Sequence, residues 1–520
     1  MAVKGEHERD SVASVDDGPR SDDREGIALL RVVLGEAGFT PAAVREALAT
    51  EVATGRDSAE LPLYIHMLKG GGALATLIKL FLLDLEVPAP DAAAALAPLP
   101  LSRLEAMGVL SVSGDTATAR IELVPTDDLM IACDAFQKEL TRPDHVLGVS
   151  PPARVLAWLT VRDEVDHVLD LGTGNGHQAL LAARHAKRVT AVDINPRALR
   201  FAAFNAVLNG VDNIEFREGN LFEPVAGATF DLIVCNPPYV VSPENEIAYR
   251  DGGLRGDAFC ELIARELPGY LAPGGIGQVL VSWLHPADAD WTLPVHRWID
   301  GNGCDALILR YAVHEPLDYA AAWNRPYRSN PEQYRNAIER WAAYFDDLGV
   351  EAISWGALTL RRRTGDNWFF PYASSTDRIT GAGEQIQRLF SAQDYLTDAS
   401  PLDVLEGTFL LAEEHRVDQA IRLGQGGALV ERNILRLDTG LRFEVSIDAS
   451  TERVLSLLDG ERPLGSILEQ VAETVPGATT EEFTRSALPV MRRLIELGFV
   501  LLPPETAVRQ GQTHPAGEGR

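Results

Sequence analysis

Only four cysteines occur in 520 residues, Cys133, Cys235, Cys260 and Cys304, and no two form a CxxC pair. Such spacing supplies neither a disulfide framework nor a thiolate metal site, so the chain reads as a protein of the reducing cytoplasm with no metal. Lysine is almost as scarce: Lys4, Lys69, Lys79, Lys138 and Lys187 are the whole set. Long apolar runs are missing too. Leu74 to Leu85 is interrupted by Lys79 and Asp84, short of the ~20 residues a membrane-spanning helix needs, so no membrane partner is expected. No basic segment followed by an apolar run opens the chain, which argues against a secretion signal. Positive charge is in deficit overall, with 47 Lys+Arg against 75 Asp+Glu and a formal charge of −28. A field of that sign opposes the phosphate neutralisation on which duplex binding rests, so nucleic acid is disfavoured as a partner unless a local basic groove exists.

What is present is a soluble, multi-domain composition, 46% hydrophobic and long enough for three or four cores. Residues 1–25 carry eight acids against four bases and almost no large apolar residue, the composition of a disordered acidic leader. The tail over 503–520, rich in Pro, Gly, Gln and Thr, reads the same way. The block 26–140 closes with a helical pattern ending at Gly108, a strand over 109–113, a Gly114-Asp115 turn and a second alternating run. The block 366–502 alternates apolar and polar residues to about 450, suggesting antiparallel strands, and ends in a similar helix-glycine-strand pattern around Gly498. Both flanks resemble winged-helix α+β modules. Neither shows a basic recognition helix, so a docking or structural role is expected of them.

The block 141–365 alternates short apolar strands with helical patterns, as a parallel sheet with crossover helices requires. Seven strands are expected, at 167–172, 188–193, 214–218, 231–236, 276–283, 305–311 and 353–361. A helical insertion is expected near 313–347, where the connection is too long for an ordinary loop.

Chemistry enters at Val168-Leu-Asp170-Leu-Gly172-Thr-Gly174-Asn-Gly176, a glycine-rich turn between the first strand and a helix. Glycines let a ligand approach the backbone, and a helix start offers N–H groups. His177 stands where a dinucleotide fingerprint would continue its glycine spacing, so a ligand without diphosphate is expected. Asp193 ends the second strand, suited to accept from both hydroxyls of a ribose. Asn220 and Leu221 follow the third strand; the amide oxygen suits an adenine amino group and Leu221 the ring, although Asn220 by itself is equally a turn residue.

Asp231-Leu-Ile-Val-Cys-Asn236-Pro237-Pro238-Tyr239 then ends the fourth strand. The Asn236 side-chain oxygen and the Pro237 carbonyl, stiffened by two prolines, offer two acceptors for one NH₂ group, and Tyr239 offers a flat surface. Such a grip presents the nitrogen lone pair and needs no strong general base, so His145 and His177 receive no catalytic role.

Taken together, VLDLGTGNG, AVD, GNLF and NPPY resemble the motifs of class I S-adenosylmethionine-dependent methyltransferases over most of residues 145–285. The resemblance implies a Rossmann-like seven-stranded domain. It also implies S-adenosyl-L-methionine as cofactor, with Asp170, Gly172, Thr173, Gly174 and Gly176 at the methionine portion. Asp193 falls to the ribose and Asn220 with Leu221 to the adenine, with Ile194 also in the cofactor-binding set; relatives usually carry Asp where Asn220 stands. Asn236, Pro237 and Tyr239 are the implied catalytic residues, with Pro238 among the substrate-binding set. The continuation Tyr249-Arg-Asp-Gly252-Gly253 resembles the release-factor glutamine N5-methyltransferases, which implies a protein glutamine acceptor, such as a translation release factor. Val146-Leu-Gly-Val-Ser150-Pro-Pro and the flanks resemble the small-domain RNA amine methyltransferases instead, so an rRNA, tRNA or DNA amine stays open as the alternative. The sequence does not speak to oligomeric state.

Overall fold

The computed structural model describes residues 18–49, 60–135, 142–244, 250–374, 379–424 and 427–503. Two compact units divide the chain. The first holds the residues up to Arg154 with Val165–Ser282 and Ala320–Gly349. The second holds Val155–Glu164, Trp283–Tyr319 and the residues from Val350 on.

The first unit begins with α1 (Arg24–Glu36). Asp23 caps this helix by accepting from Gly26 N, and it pairs with Arg103 through two bonds of 2.6 and 2.7 Å. Residues 1–17 of the expected acidic leader lie outside the described residues. Residues 18–25 depart from the expectation, because one acid is spent on a helix cap and a two-pronged ion pair rather than on water. After further helices, including Pro41–Leu48, Leu61–Met67 and Gly72–Phe81, come β1 (Val87–Pro88), α2 (Ala89–Ala95), α3 (Leu101–Ala106) and the hairpin β2 (Leu110–Ser113) with β3 (Thr116–Ala119), in the sheet order β1-β3-β2. A second hairpin pairs β4 (Glu122–Thr126) with β5 (Leu129–Cys133).

Alternation of strand and helix then sets in: β6 (Val165–Leu171), α4 (His177–Ala182), β7 (Ala186–Asp193), α5 (Pro196–Asn209), β8 (Ile214–Glu218), β9 (Phe230–Cys235), α6 (Ala258–Glu266) and β10 (Leu271–His285). The strands are parallel, in the order β10-β9-β6-β7-β8. Buried apolar runs explain this, since Leu169, Val192, Ile233 and Val279 are each at most 1% exposed, as central strands covered on both faces must be. This is a Rossmann-like arrangement. Chain order reverses between β6 and β9, where an open parallel sheet leaves a crevice at its carboxyl ends.

Two side-chain amides join the hairpin β4–β5 to this core. Asn205 and Asn209, one turn apart on α5, each exchange a pair of hydrogen bonds with β5. Asn205 bonds Ala132 N and O at 2.7 and 2.9 Å, and Asn209 bonds Met130 N and O at 2.9 and 2.8 Å. The amides stand where a third strand would otherwise satisfy that edge. Phe201, Phe204 and Leu208 on the same helix share a core with Ile27, Leu30 and Leu34 of α1. The last element of this unit is α7 (Pro331–Leu348), with Trp341 and Phe345 buried.

In the second unit β11 (Cys304–His314) runs antiparallel to β12 (Ala352–Arg362) and parallel to β13 (Phe369–Ala373). The seven expected strands of the middle block are thus β6 to β12, and β13 is an eighth. Residues 366–450 depart from a purely antiparallel reading. Beyond β13 lies α8 (Gly383–Asp398), whose buried Ile386, Leu389 and Phe390 follow helical rather than alternating spacing. Antiparallel pairing begins with β14 (Leu410–Leu411) and runs through the sheet β15 (His415–Gly424), β16 (Gly427–Leu437) and β17 (Glu444–Ile447). The helices α9 (Leu464–Ala472) and α10 (Thr480–Glu496) lead to β18 (Val500–Leu501), which pairs with β14. Of the tail, residues 504–520 lie outside the described residues. Among the described residues no single helix is long and apolar enough to cross a membrane.

Candidate active site

A cavity of about 570 Å³ opens at the carboxyl ends of β6, β7, β8 and β9, a size suited to a small-molecule ligand. Its walls include Asp170, Gly172, Thr173, Gly174, Asp193, Ile194, Asn220 and Leu221 on one side and Asn236, Pro237, Pro238 and Tyr239 on the other. Of the thirteen expected site residues, Gly176 alone is absent from these walls.

The glycines do different jobs. Gly172 and Gly174 adopt φ of +73° and +56°, and a Cβ on either would meet no protein atom within 4 Å. They keep the wall low where a ligand would lie. Gly176 also has positive φ, +86°, but a Cβ there would stand 3.0 Å from Ala202 Cβ on α5. It serves close packing of the turn on that helix.

Asp170 is buried, and its Oδ2 accepts from Thr173 Oγ1 at 2.6 Å and Ala179 N at 2.9 Å. Burial pushes its pKa up to about 7 against those two bonds, with a further push from the charge of Asp193. The start of α4 is therefore less open to a ligand than its position after a glycine turn suggests. Ala179 N is taken by Asp170, and His177 N donates to Asn175 Oδ1 at 3.0 Å. Asp193 accepts from Gly174 N and Asn195 N, one on each carboxylate oxygen and both at 2.8 Å. Burial raises its pKa, opposed by those backbone bonds. Each oxygen retains lone-pair capacity for a further donor. Leu221 holds φ +45°, a left-handed conformation costly for a leucine, and Glu223 N closes a turn onto Asn220 O at 3.0 Å. Ile194 is 63% exposed beside them.

Across the cavity Asn236 follows directly on β9, half-buried, and among the described residues its side-chain amide has no protein hydrogen-bond partner. The backbone around it is fixed instead. Ser282 Oγ donates to Tyr239 O, and Val240 N donates to Arg250 O at 3.3 Å. Gly252 is needed for close approach: a Cβ there would lie 3.0 Å from Pro238 O and 2.7 Å from the Phe259 ring. Arg250, 6% exposed, grips Asp251 through two bonds of 2.8 and 3.1 Å and reaches Glu244 at 2.6 Å. Tyr249 lies outside the described residues. Two thiols sit near this end, and burial pushes Cys260 up to about 12 and Cys235 well above its usual value, so both stay neutral and unreactive.

A family model described as a methyltransferase domain matches residues 162–282, the segment that carries every one of these site residues. This part of the chain is a methyltransferase domain. Two further models, each described as a domain of unknown function (DUF7059 and DUF7782), match residues 36–120 and 387–502.

Among similar proteins, one from Methanocaldococcus jannaschii named as a protein N5-glutamine methyltransferase is 43% identical over 125 residues, 22% of this chain and 62% of its own length. A release factor glutamine methyltransferase of Xylella fastidiosa is 34% identical over 154 residues, 27% and 50% of the two chains. A ribosomal protein uL3 glutamine methyltransferase of Bordetella pertussis is 39% identical over 135 residues, 23% and 44%. The chain thus spans roughly half the length of the curated relatives it matches. A solved methyltransferase from Pyrococcus furiosus aligns at 19% identity with TM-score 0.27, covering 41% of this chain and 83% of that one.

Several residues that line or support the cavity were hidden in the sequence. Asn175, inside the glycine motif, donates to Leu147 O at 2.8 Å, and its own carbonyl accepts from Asn205 at 2.8 Å. Residues 145–148 and 150–153 line the cavity, His145 among them. His145 and His177 are buried at 2% and 4% exposure. The signal for this wall was Ser150-Pro-Pro, a run whose stiffness suits a fixed wall. Ser282 and Trp323 gave no local signal.

Proposed function

We propose that the methyltransferase domain transfers a methyl group from S-adenosyl-L-methionine to a planar NH₂ nitrogen, the side-chain amide of a protein glutamine. The observation that carries this reading is the sharing of one cavity by the Gly172–Asp193 wall and the Asn236-Pro237-Pro238-Tyr239 turn. The cofactor fits the residues present. Asp193 retains acceptor capacity on both oxygens, as a ribose diol requires, and Gly172 and Gly174 leave the adjacent wall clear. Thr173, Ile194, Asn220 and Leu221 complete that side. When bound, the cofactor supplies an electrophilic methyl group on a positively charged sulfur.

The chain's own work is positional. The free amide oxygen of Asn236 and the carbonyl of Pro237 accept both N–H bonds of the acceptor, turning the nitrogen lone pair toward the cofactor wall. Tyr239 packs the planar group. As positive charge develops on nitrogen, the two oxygens stabilise it, and no general base is required. Similar proteins named for glutamine methylation of release factors and of ribosomal protein uL3 support a protein acceptor, as does the charge of −28. The site of action is then the cytoplasm, beside the translation machinery.

A second reading, an amine of RNA or DNA, is favoured by one observation. The succession β1, α2, α3, β2, β3 with sheet order β1-β3-β2 supports the winged-helix reading of this flank, a form used on nucleic acids. Co-expression with release factors and with uL3, followed by peptide mass spectrometry, separates the two. Methylated glutamine dependent on Asn236 supports the proposal, and label recovered only in nucleosides overturns it.

A further inference from the structure

The helical segment before β12 contributes one residue to the cavity. Trp323, half-buried, lines the same cavity as Asn236 and Tyr239, and it comes from outside the segment matched by the methyltransferase model. The helix that follows it, α7, is fastened to the stretch after the Asn-Pro-Pro-Tyr turn by one face. Arg340, Tyr344 and Asp347 recur at helical spacing along that face. Arg340 pairs with Glu244, Tyr344 Oη accepts from Gly256 N at 2.8 Å, and Asp347 pairs with Arg255 at 2.5 Å. Trp341 Nε1 adds a bond to Glu244 at 3.2 Å.

These contacts are unequal in weight. Arg255 and Asp347 are 60% and 68% exposed, so water screens that pair and it contributes little. The Glu244 side chain is 12% exposed and gathers Arg250, Arg340 and Trp341. Burial pushes its pKa up, but the bonds from Arg340 and Trp341 and the charge of Arg250 outweigh this and hold it below the usual carboxylate range. Glu244 is therefore the joint between the helical segment and the loop that follows Tyr239. Among the described residues, the polar anchors named above, Arg340, Trp341, Tyr344 and Asp347, all reach the stretch that follows Tyr239.

We infer that Trp323 is an acceptor-binding residue, an aromatic wall carried by the segment 320–349 and held over the acceptor end by the Glu244 joint. This deepens the proposed function and rests on it, since the acceptor is taken to be a planar amide. An indole in the cavity that Tyr239 also lines gives such a group a second flat, apolar surface and excludes water from the nitrogen.

The test uses the full chain and two probes in which S-adenosylhomocysteine is tethered through its sulfur-side carbon, in one to a glutamine side-chain nitrogen and in the other to the exocyclic nitrogen of adenine. The gain of each probe over S-adenosylhomocysteine, read by calorimetry, isolates the acceptor subsite without turnover. The glutamine probe is expected to gain. Trp323→Ala is expected to remove about 10-fold of that gain while S-adenosylhomocysteine affinity and the melting temperature stay put, with Trp323→Phe recovering most of it. Arg340→Ala should give a smaller loss of the same kind. If only the adenine probe gains and Trp323→Ala removes that gain, the glutamine acceptor is wrong and the role of Trp323 stands. Equal losses of S-adenosylhomocysteine and probe, an unchanged gain, or no gain by either probe would overturn the inference.

Discussion

The two ends of the cavity are held by opposite means. At the cofactor end three polar side chains are tied to the protein, Asp170 to Thr173 and Ala179, Asp193 to Gly174 and Asn195, Asn175 to Leu147 and His177, while Asn220 is exposed. At the acceptor end the Asn236 amide is untied, and the backbone on either side of it is fixed by Ser282, Arg250 and Gly252. On the proposed function, the difference teaches how one fold serves two partners. The end assigned to an unvarying ligand holds its carboxylates in hydrogen bonds to the protein. The end assigned to the acceptor keeps the Asn236 amide free within a fixed backbone frame.

Breaking the free group should give the largest effect. Asn236→Ala is expected to lower methyl transfer by roughly 10²-fold or more, with S-adenosylhomocysteine affinity within about 2-fold of the parent by calorimetry. A comparable loss of cofactor affinity would mean the two ends are not separate. Asp193→Ala should do the reverse. Loss of charge-assisted hydrogen bonds predicts cofactor affinity weakened by roughly 10- to 100-fold, together with a loosened turn at Gly174; unchanged affinity removes Asp193 from the ribose side.

The frame can be tested apart from the group it holds. Gly252→Ala forces the Phe259 ring or the Pro238 carbonyl to shift, and displacement of a positioned acceptor predicts roughly a 10-fold fall in kcat at constant cofactor affinity. A fall in cofactor affinity alone would assign Gly252 to the other end. The smallest effect concerns pH. Asp170 has its pKa raised to about 7 by burial, so the stability it lends is full below the usual carboxylate range and is lost as pH rises toward 7. Asp170→Asn should flatten the decline in melting temperature between pH 5 and pH 8 by roughly 5 °C; an unaltered slope would show that the carboxyl titrates normally.

Legibility in the sequence followed contiguity. The strands β6 to β12 announce themselves as short apolar runs, and Gly172, Asp193 and Asn236 each sit in a motif of a few adjacent residues at a strand end. Residues whose partners are distant in sequence gave no such sign. Asn205 and Asn209 look like ordinary surface amides of a helix, and only the fold shows them closing the edge of β5 and steadying Asn175. Trp323 and Ser282 reach the site through chain folding alone. The stretch 383–398 falls inside the alternating pattern expected over 366–450, yet its buried apolar positions Ile386, Leu389 and Phe390 are spaced by three and four and form a helix. The start of α4 shows that a motif's shape does not reveal which of its N–H groups its own neighbours consume.

A crystal structure of the full chain with S-adenosylhomocysteine would test the central claim most directly. The account predicts both ribose hydroxyls within hydrogen-bond distance of Asp193, the sulfur on the Asn236 side and the Asn236 amide still unpartnered by protein. Ligand bound elsewhere, or Asn236 turned away from the sulfur, would contradict it.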